Sequence, residues 1–492
     1  MAHLVEPRHH VSLDDYERIA HLSTAVRDLR HEARSLLPAL AGRRVWMVNS
    51  TRHGGGVAEL LPPLLALLRD LGVDANWLVM EADDPAFFRL TKRLHNLIHG
   101  EGDPNLGQAE RDLYDRVSRE TAEMVARHLS PGDVLVIHDP QPLGAGAILR
   151  ERMDIAAIWR CHIGLDRETP ETRAAWAFLE EAASVYDHAV FTAPEYIPSC
   201  LAGRAAIIHP AIDPLSHKNR ELSVHKLVGI LANGALIRAP GPMLTPPFPH
   251  QAKRLQRDAT WAPATAPEDI GLLHRPIVTQ ISRWDRLKGF LPLMQGFVML
   301  KRELGSRTGL DERHRRSLQL ARLVLAGPDP GSIEDDPEGK EVLAELGNAY
   351  AGLAPELQAD VAIVVLPMNS EKHNALLVNA LQRCSDIVAQ NSLREGFGLT
   401  ATEAMWKRAA VLGSQAAGLR QQIRPDLDGR LVANPEDPRE IAAALDDLLA
   451  DLWKREMFGQ SAQQRVHDGF LIFTQARSWL ALIADTVKAR WR

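Results

Sequence analysis

At 492 residues the chain is too long for one hydrophobic core, which calls for two domains. Hydrophobic residues at 45% and charged ones at 24% are ordinary for a soluble globular protein, and a formal net charge of -6 gives no pull towards nucleic acid or an anionic membrane. The longest apolar stretch, "LLPPLLALL", is too short to span a bilayer, and "MAHLVEPRHH" lacks the apolar centre of a signal peptide. Cys161, Cys200 and Cys384 form no CxxC pair, and the histidines are scattered with no HExxH, so we expect a cytoplasmic protein without a metal site.

In chain order, residues 12–40 carry Leu and Ala at helical spacing and predict one or two opening helices. "RRVWMVNS" (43–50) reads as a buried strand, followed by a glycine loop, "TRHGGG", that enters a helix stopping at Gly72. Further strands are expected at "DANWLVME", 133–140, 155–163, 188–195 and 204–213, with helices between them, the alternation of a doubly wound α/β domain. Residues 239–268 are proline-rich and aperiodic, and are expected to form a linker or surface loop. A second series follows at 275–285, 321–329, 360–367, 386–392 and 409–415, and the chain closes in helical periodicity. The expected fold is α/β, two Rossmann-like doubly wound domains with a cleft between them and ligands at the carboxyl ends of the strands. The expected boundaries are 1–220 for the first domain, 221–272 for the linker or insertion, 273–465 for the second domain and 466–492 for a final helix.

The chemistry concentrates in "REGFGLTATEAMW". Glu395 follows a strand and precedes Gly396, Phe397, Gly398 and Leu399, whose backbone N–H groups open the next helix and suit an anion. Glu403, just inside that helix, can accept from a diol such as ribose, while Glu395 can accept from sugar hydroxyls or stabilise positive charge on an anomeric carbon. Acids in the first turns also serve as plain helix caps. "SRWDRLKG" supplies Arg283, Arg286 and Lys288, cations able to hold a diphosphate in place of a metal, although such loops are commonly just solvated. Together these features suit a nucleotide sugar.

"EGFGLTATEA" with "SRWDRLK" resembles the retaining glycosyltransferases of family 4, which have the GT-B fold. "NSTRHGGGVAELL", "FFRLTKRLHNLIHG", "VLVIHDPQPLG", "WRCHIGLD", "PAIDPLSHKNREL" and "DDPEG" narrow the resemblance to the trehalose glycosyltransferring synthases, from about Arg43 to about Trp479. That resemblance implies glucose transfer from a nucleoside diphosphate glucose to glucose, giving α,α-trehalose reversibly. It puts Glu395, His162, Arg283 and Lys288 at the catalytic centre. It gives the donor Arg283, Lys288, Glu403, Gly396, Phe397, Gly398 and Leu399, with Gly54, Gly55 and Gly56 of the first domain, which is read as the acceptor domain. Asp139, Gln141 and Asn49 fall on the acceptor side, and the last helix returns to the first domain. Taken alone, His162 would read as a core histidine, and the glycine loop and Asp-Pro pair as turns.

The resemblance implies no required cofactor, with Mg2+ at most stimulatory. The expected partners are small-molecule sugars and nucleotide sugars, with no nucleic acid and no membrane; a homodimer is compatible with this. A departing phosphate oxygen can take the acceptor's proton, so no dedicated base is needed. Another small sugar or polyol acceptor, a trehalose phosphorylase and a degenerate sugar-nucleotide binding protein remain as alternatives. Departures from the family pattern are "GFLPL" after Lys288, "SQAAGLRQQI" after the strand at 409–415, and the proline-rich segment.

Overall fold

The computed structural model describes residues 2–6, 11–52, 56–80, 84–239, 241–332 and 337–491. Two compact units emerge, the first made of 1–213 with 469–492 and the second of 214–468.

In the first unit the strands are β1 (Ala2–Leu4), β2 (Arg44–Asn49), β3 (Asp74–Met80), β4 (Val134–His138), β5 (Ala156–Arg160), β6 (His188–Phe191) and β7 (Ala205–Ile207). They lie in the order β1-β3-β2-β4-β5-β6-β7, parallel except for β1 against β3. β4 and β5 are buried at every residue, as expected of parallel strands covered on both faces. The helix Ala20–Leu36 buries Leu22, Val26, Leu29 and Ala33, one stripe at helical spacing. The last helix, Ile472–Arg490, packs on that helix and on β5, burying Phe473, Ala476, Trp479, Leu480, Ile483 and Val487. Phe473 meets Tyr16 edge-on at 5.0 Å, and the Tyr16 hydroxyl donates to Asp213 at 2.9 Å.

The second unit holds β8 (Lys253–Leu255), β9 (Trp261–Pro263), β10 (Ile277–Ile281), β11 (Arg322–Pro328), β12 (Val361–Leu366), β13 (Ile387–Gln390), β14 (Ala410–Ser414) and β15 (Gly429–Val432). Their order is β15-β14-β13-β10-β11-β12-β8-β9, and the strands from β10 to β15 are mutually parallel.

Both sheets reverse direction once. In the first, β3 lies on one side of β2 and β4 on the other; in the second, β11 and β13 flank β10 in the same way. At each reversal two loops leave adjacent strands in opposite directions and open a crevice at their carboxyl ends, where α/β sheets bind ligands. The crevices fall after Asn49 and His138 in one unit, and after Ile281 and Gln390 in the other.

The segment 221–272 is not a linker. Val224–Asn233 is a helix, and β8 and β9 form a hairpin that pairs antiparallel with β12. Leu231, Leu236, Ala252, Ala264 and Leu272 are buried in the same core as Ile277 and Val364. Strands of three residues are too short to show alternation, and prolines fit because this is the sheet's edge. The first unit also ends at Asp213 rather than at residue 220: Asn379 donates to the carbonyls of His217 and Arg220 at 3.0 and 2.9 Å and ties that stretch to the second unit. At the other end, Leu452–Gly469 is a separate helix, and the returning helix starts at Ile472. Among the described residues no helix is long and apolar enough to cross a membrane.

Candidate active site

In the second unit the chain leaves β10, runs through Ser282–Asp285 and makes a 3-10 turn over Arg286–Lys288, capped by Asp285 accepting from the Leu287 N–H at 2.8 Å. Gly289 follows at φ 62°, where a Cβ would lie 2.2 Å from the Asn391 carbonyl oxygen, so glycine is required by both conformation and space. The Gln280 amide donates to the Lys288 carbonyl at 2.7 Å and accepts from the Asn391 N–H at 2.9 Å, stitching together the two loops of the crevice.

This turn carries Lys288 Nζ to 2.7 Å from Glu395 Oε2. The same oxygen accepts from Gln390 at 3.1 Å and from Ser392 at 3.0 Å. Burial pushes the Glu395 carboxyl up, but the Lys288 ammonium and these donors outweigh it and hold the group below the usual glutamate range. It is therefore ionised at neutral pH, facing a cation in a largely water-excluded place.

Arg283 is placed differently from the expectation. Trp284 turns inward, buried with its indole N–H on the Pro328 carbonyl at 2.7 Å, and Arg283 beside it points out. The Arg283 side chain is 75% exposed, with Asp285 at 4.0 Å as its ion pair. Arg286 turns to Glu345 at 2.9 Å. Of the three cations in "SRWDRLKG", Lys288 is thus the one brought to Glu395.

Gly398, at φ 89°, opens the helix Leu399–Trp406 at the carboxyl end of β13. Behind the loop, the Gly418 N–H donates to the Glu395 carbonyl at 3.1 Å, and the Gln422 amide donates to the Phe397 carbonyl and, at 3.1 Å, to that of Gly418. The loop is therefore held at the Glu395 and Phe397 carbonyls by the short helix Ala417–Gln422. Gly418 and Gln422 belong to "SQAAGLRQQI", which stands out in the sequence as a departure from the family pattern but shows no task there.

Glu403 is buried in the helix Leu399–Trp406. Lys218 Nζ lies 3.7 Å from its Oε1, and Lys407 Nζ donates to its carbonyl and to Asn219, each at 3.0 Å. Burial pushes the Lys407 ammonium down to about 7, with Glu403 opposing the shift. Sequence reasoning missed Lys218, Asn219 and Lys407; the signal was in "SHKNREL" and in the lysine one turn after Glu403. Glu403→Gln keeps the shape and removes the charge. It should weaken nucleotide-sugar binding by about 1–3 kcal/mol, the range for a charged hydrogen bond. Calorimetric titration checks this, and an unchanged dissociation constant would put the ribose elsewhere.

In the first unit Asn49 closes β2, but it is committed to the protein. Its amide oxygen accepts from the Trp77 indole at 2.7 Å, and its nitrogen donates to the Thr51 carbonyl at 2.7 Å. Buried and doubly bonded, it braces the strand end instead of offering itself to an acceptor. Gly54 and Gly55 lie outside the described residues, and Gly56 opens the helix Gly56–Asp70.

Asp139 sits at φ 65° just after β4, and its Oδ1 accepts from the His162 N–H at 2.9 Å. Burial pushes its carboxyl up to about 6, against the pull of that hydrogen bond and of Arg160. Among the described residues the buried Gln141 amide oxygen has no hydrogen-bond partner. His162 stacks on His138 with ring centroids 5.3 Å apart at 17°, and His138 Nδ1 lies 3.0 Å from His162 Nε2. Burial pushes His138 down to about 3 and His162 well below the histidine range, with Arg160 adding to both shifts. Both rings are neutral. His138 and Arg160 went unread in the sequence because each closes an apolar strand as a single polar residue. Among the described residues no group of three or more His, Cys, Asp or Glu side chains could hold a metal ion.

The two doubly wound sheets are the GT-B architecture of glycosyltransferases, and similarity to trehalose synthases and to group 1 glycosyl transferases makes the chain a hexosyltransferase. The family described as "Trehalose synthase, N-terminal domain" matches residues 47–198, and "Glycosyl transferases group 1" matches 274–465. A trehalose synthase of Pyrococcus horikoshii is 33% identical over 90% of this chain and 90% of its own. A trehalose phosphorylase of Pleurotus pulmonarius is 26% identical over 89% of this chain but 56% of its own. The fold is similar to that of an α,α-trehalose-phosphate synthase (UDP-forming) from Burkholderia vietnamiensis, with a TM-score of 0.64 at 17% identity over 91% of this chain and 99% of that one. The chain belongs to the trehalose synthase family of glycosyltransferases.

Proposed function

We propose that the chain transfers glucose, with retention, from a nucleoside diphosphate glucose to free glucose, forming α,α-trehalose reversibly. The observation that carries this reading is the Lys288–Glu395 pair, 2.7 Å apart at the reversal of the second sheet beside the N-terminus of the helix Leu399–Trp406. Lys288 supplies positive charge for the leaving diphosphate, and the N–H groups of Gly396, Phe397, Gly398 and Leu399 hold its oxygens. The ionised Glu395 stabilises the positive charge that develops at the anomeric carbon. Glu403, with Lys218 beside it, takes the ribose. Arg283 joins the diphosphate by swinging its exposed side chain inward.

Acceptor recognition falls to Asp139, Gln141 and His162. A departing phosphate oxygen takes the acceptor's proton, so the reaction needs no separate base. This agrees with a histidine pair that burial and Arg160 make reluctant to take a proton, and with an Asp139 that already accepts from the His162 N–H. Cations in place of a metal make a required cofactor unnecessary, with Mg2+ at most stimulatory. Free cysteines at 161, 200 and 384 fit work in the reducing cytoplasm.

The purified chain is incubated with ADP-, UDP- or GDP-glucose and glucose, without added metal. A non-reducing disaccharide should form with an equal amount of nucleoside diphosphate. Parallel incubations contain trehalose with inorganic phosphate, and maltose alone. Glucose 1-phosphate from the former, or trehalose from the latter, with no product from any nucleotide sugar, would overturn the reading.

A further inference from the structure

The two histidines of the first unit share a single proton between facing nitrogens. His138 Nδ1 and His162 Nε2 are 3.0 Å apart, so one must donate and the other accept. Burial, reinforced by the buried Arg160 beside them, rules against a positive charge on either ring.

Two arrangements of a neutral pair are possible in principle. If His162 donates through Nε2, the remaining proton of His138 sits on its Nε2. That atom is buried and, among the described residues, has no hydrogen-bond partner. The result is an orphaned N–H in an apolar interior close to a guanidinium. If His138 donates through Nδ1, its Nε2 carries a lone pair, which a neighbouring cation favours. Buried unpaired donors are rarer than buried unpaired acceptors. The second arrangement is therefore the stable one.

We propose that His138 is a positioning residue that fixes His162 as its Nδ1–H tautomer, so that His162 meets the substrate as a hydrogen-bond donor and not as a base. The ligand atom it suits is an oxygen lone pair on a hexose hydroxyl of the acceptor. The inference rests on the proposed binding of substrate at the carboxyl end of the first sheet.

The rest of the local structure agrees with this role. The Asp139 carboxylate holds the His162 backbone N–H at 2.9 Å, and the Arg160 guanidinium is committed to the Phe191 carbonyl at 2.9 Å and the Thr192 hydroxyl at 3.1 Å. Neither binds the His162 ring. Among the described residues, His162 Nδ1 makes no hydrogen bond, and the residue is half-buried, not sealed. Ring orientation is left to His138, which is backed by Trp479 at 6.2 Å between ring centroids.

The test is a long-range 1H–15N correlation spectrum of full-length protein labelled at histidine nitrogens, with His162 assigned by its loss in His162→Gln. His162 should show a protonated Nδ1 and a bare Nε2. A protonated Nε2 in the wild type would overturn the proposal, and this readout needs neither substrate nor turnover. The spectrum of a chain that failed to make trehalose would therefore still test the role of His138. In kinetics, His138→Phe should lower kcat roughly tenfold, the value of one hydrogen bond, with the donor KM unchanged and the His162 tautomer shifted to Nε2–H. His138→Asn places an amide N–H where Nδ1 stood and should recover most of the rate. A His138→Phe enzyme with wild-type kcat and tautomer would remove His138 from this role. If that variant does not fold, the wild-type spectrum decides.

Discussion

Glu395→Gln is expected to lower hexosyl transfer by about 100- to 1,000-fold, the loss seen when one charge-stabilising group is removed from a water-excluded centre. The amide has the shape of the carboxylate but not its charge, so Lys288 would keep a neighbour at 2.7 Å and lose its counter-ion. Nucleotide binding should survive. The loop that presents the backbone donors is held through the Glu395 carbonyl by the Gly418 N–H at 3.1 Å, a contact indifferent to the side chain. The measurement is kcat together with the nucleoside diphosphate dissociation constant by calorimetry. Unchanged turnover would take Glu395 out of the mechanism. A parallel loss of nucleotide affinity would mean that the carboxylate organises the loop and is not aimed at the anomeric carbon.

Gly418→Val should be nearly as damaging, although residue 418 is not expected to touch substrate. A Cβ there would lie 2.5 Å from Phe397 Cα, 2.6 Å from its nitrogen and 2.7 Å from the Glu395 carbonyl oxygen. These are backbone atoms with no rotamer to yield, so the loop from Glu395 to Gly398 must move. Overpacking of this kind costs about 1–3 kcal/mol, and a displacement near 1 Å at a catalytic group costs about 100-fold in rate. Thermal melting and kcat/KM are expected to fall together, with Gly418→Ala giving the milder form of both. If neither moved, the helix Ala417–Gln422 would not be what holds the loop.

Much of this is legible in the amino-acid sequence alone. β2, β4, β11 and β12 are apolar runs bounded by polar residues, and the doubly wound reading follows from them because both faces are covered. Lys288 and Glu395 are readable as one site because each follows a strand and "RLKG" and "EGFG" both demand tight turns. The β8–β9 hairpin is not legible: three-residue edge strands among prolines carry no period. The outward turn of Arg283 is not legible because the sequence does not say that Trp284 turns inward. The commitment of Asn49 to the strand end is not legible because its partner Trp77 lies on the neighbouring strand, 28 residues away in sequence. Lys218 and Glu403 meet across 185 residues of chain, and no local pattern encodes that meeting.

The return of the chain to its first unit has a consequence for how the protein is made. All seven strands of the first sheet are translated by Ile207, yet the helix that covers part of that sheet, Ile472–Arg490, comes last. Until Phe473 reaches Tyr16 and Trp479 reaches His138, a nascent chain leaves part of that apolar surface open to the cell. The second unit, contiguous from 214 to 468, carries no such dependence. The half translated second can therefore finish folding before the half translated first, which waits for the helix Ile472–Arg490. Chaperone dependence and proteolytic sensitivity during expression should accordingly map to the N-terminal unit.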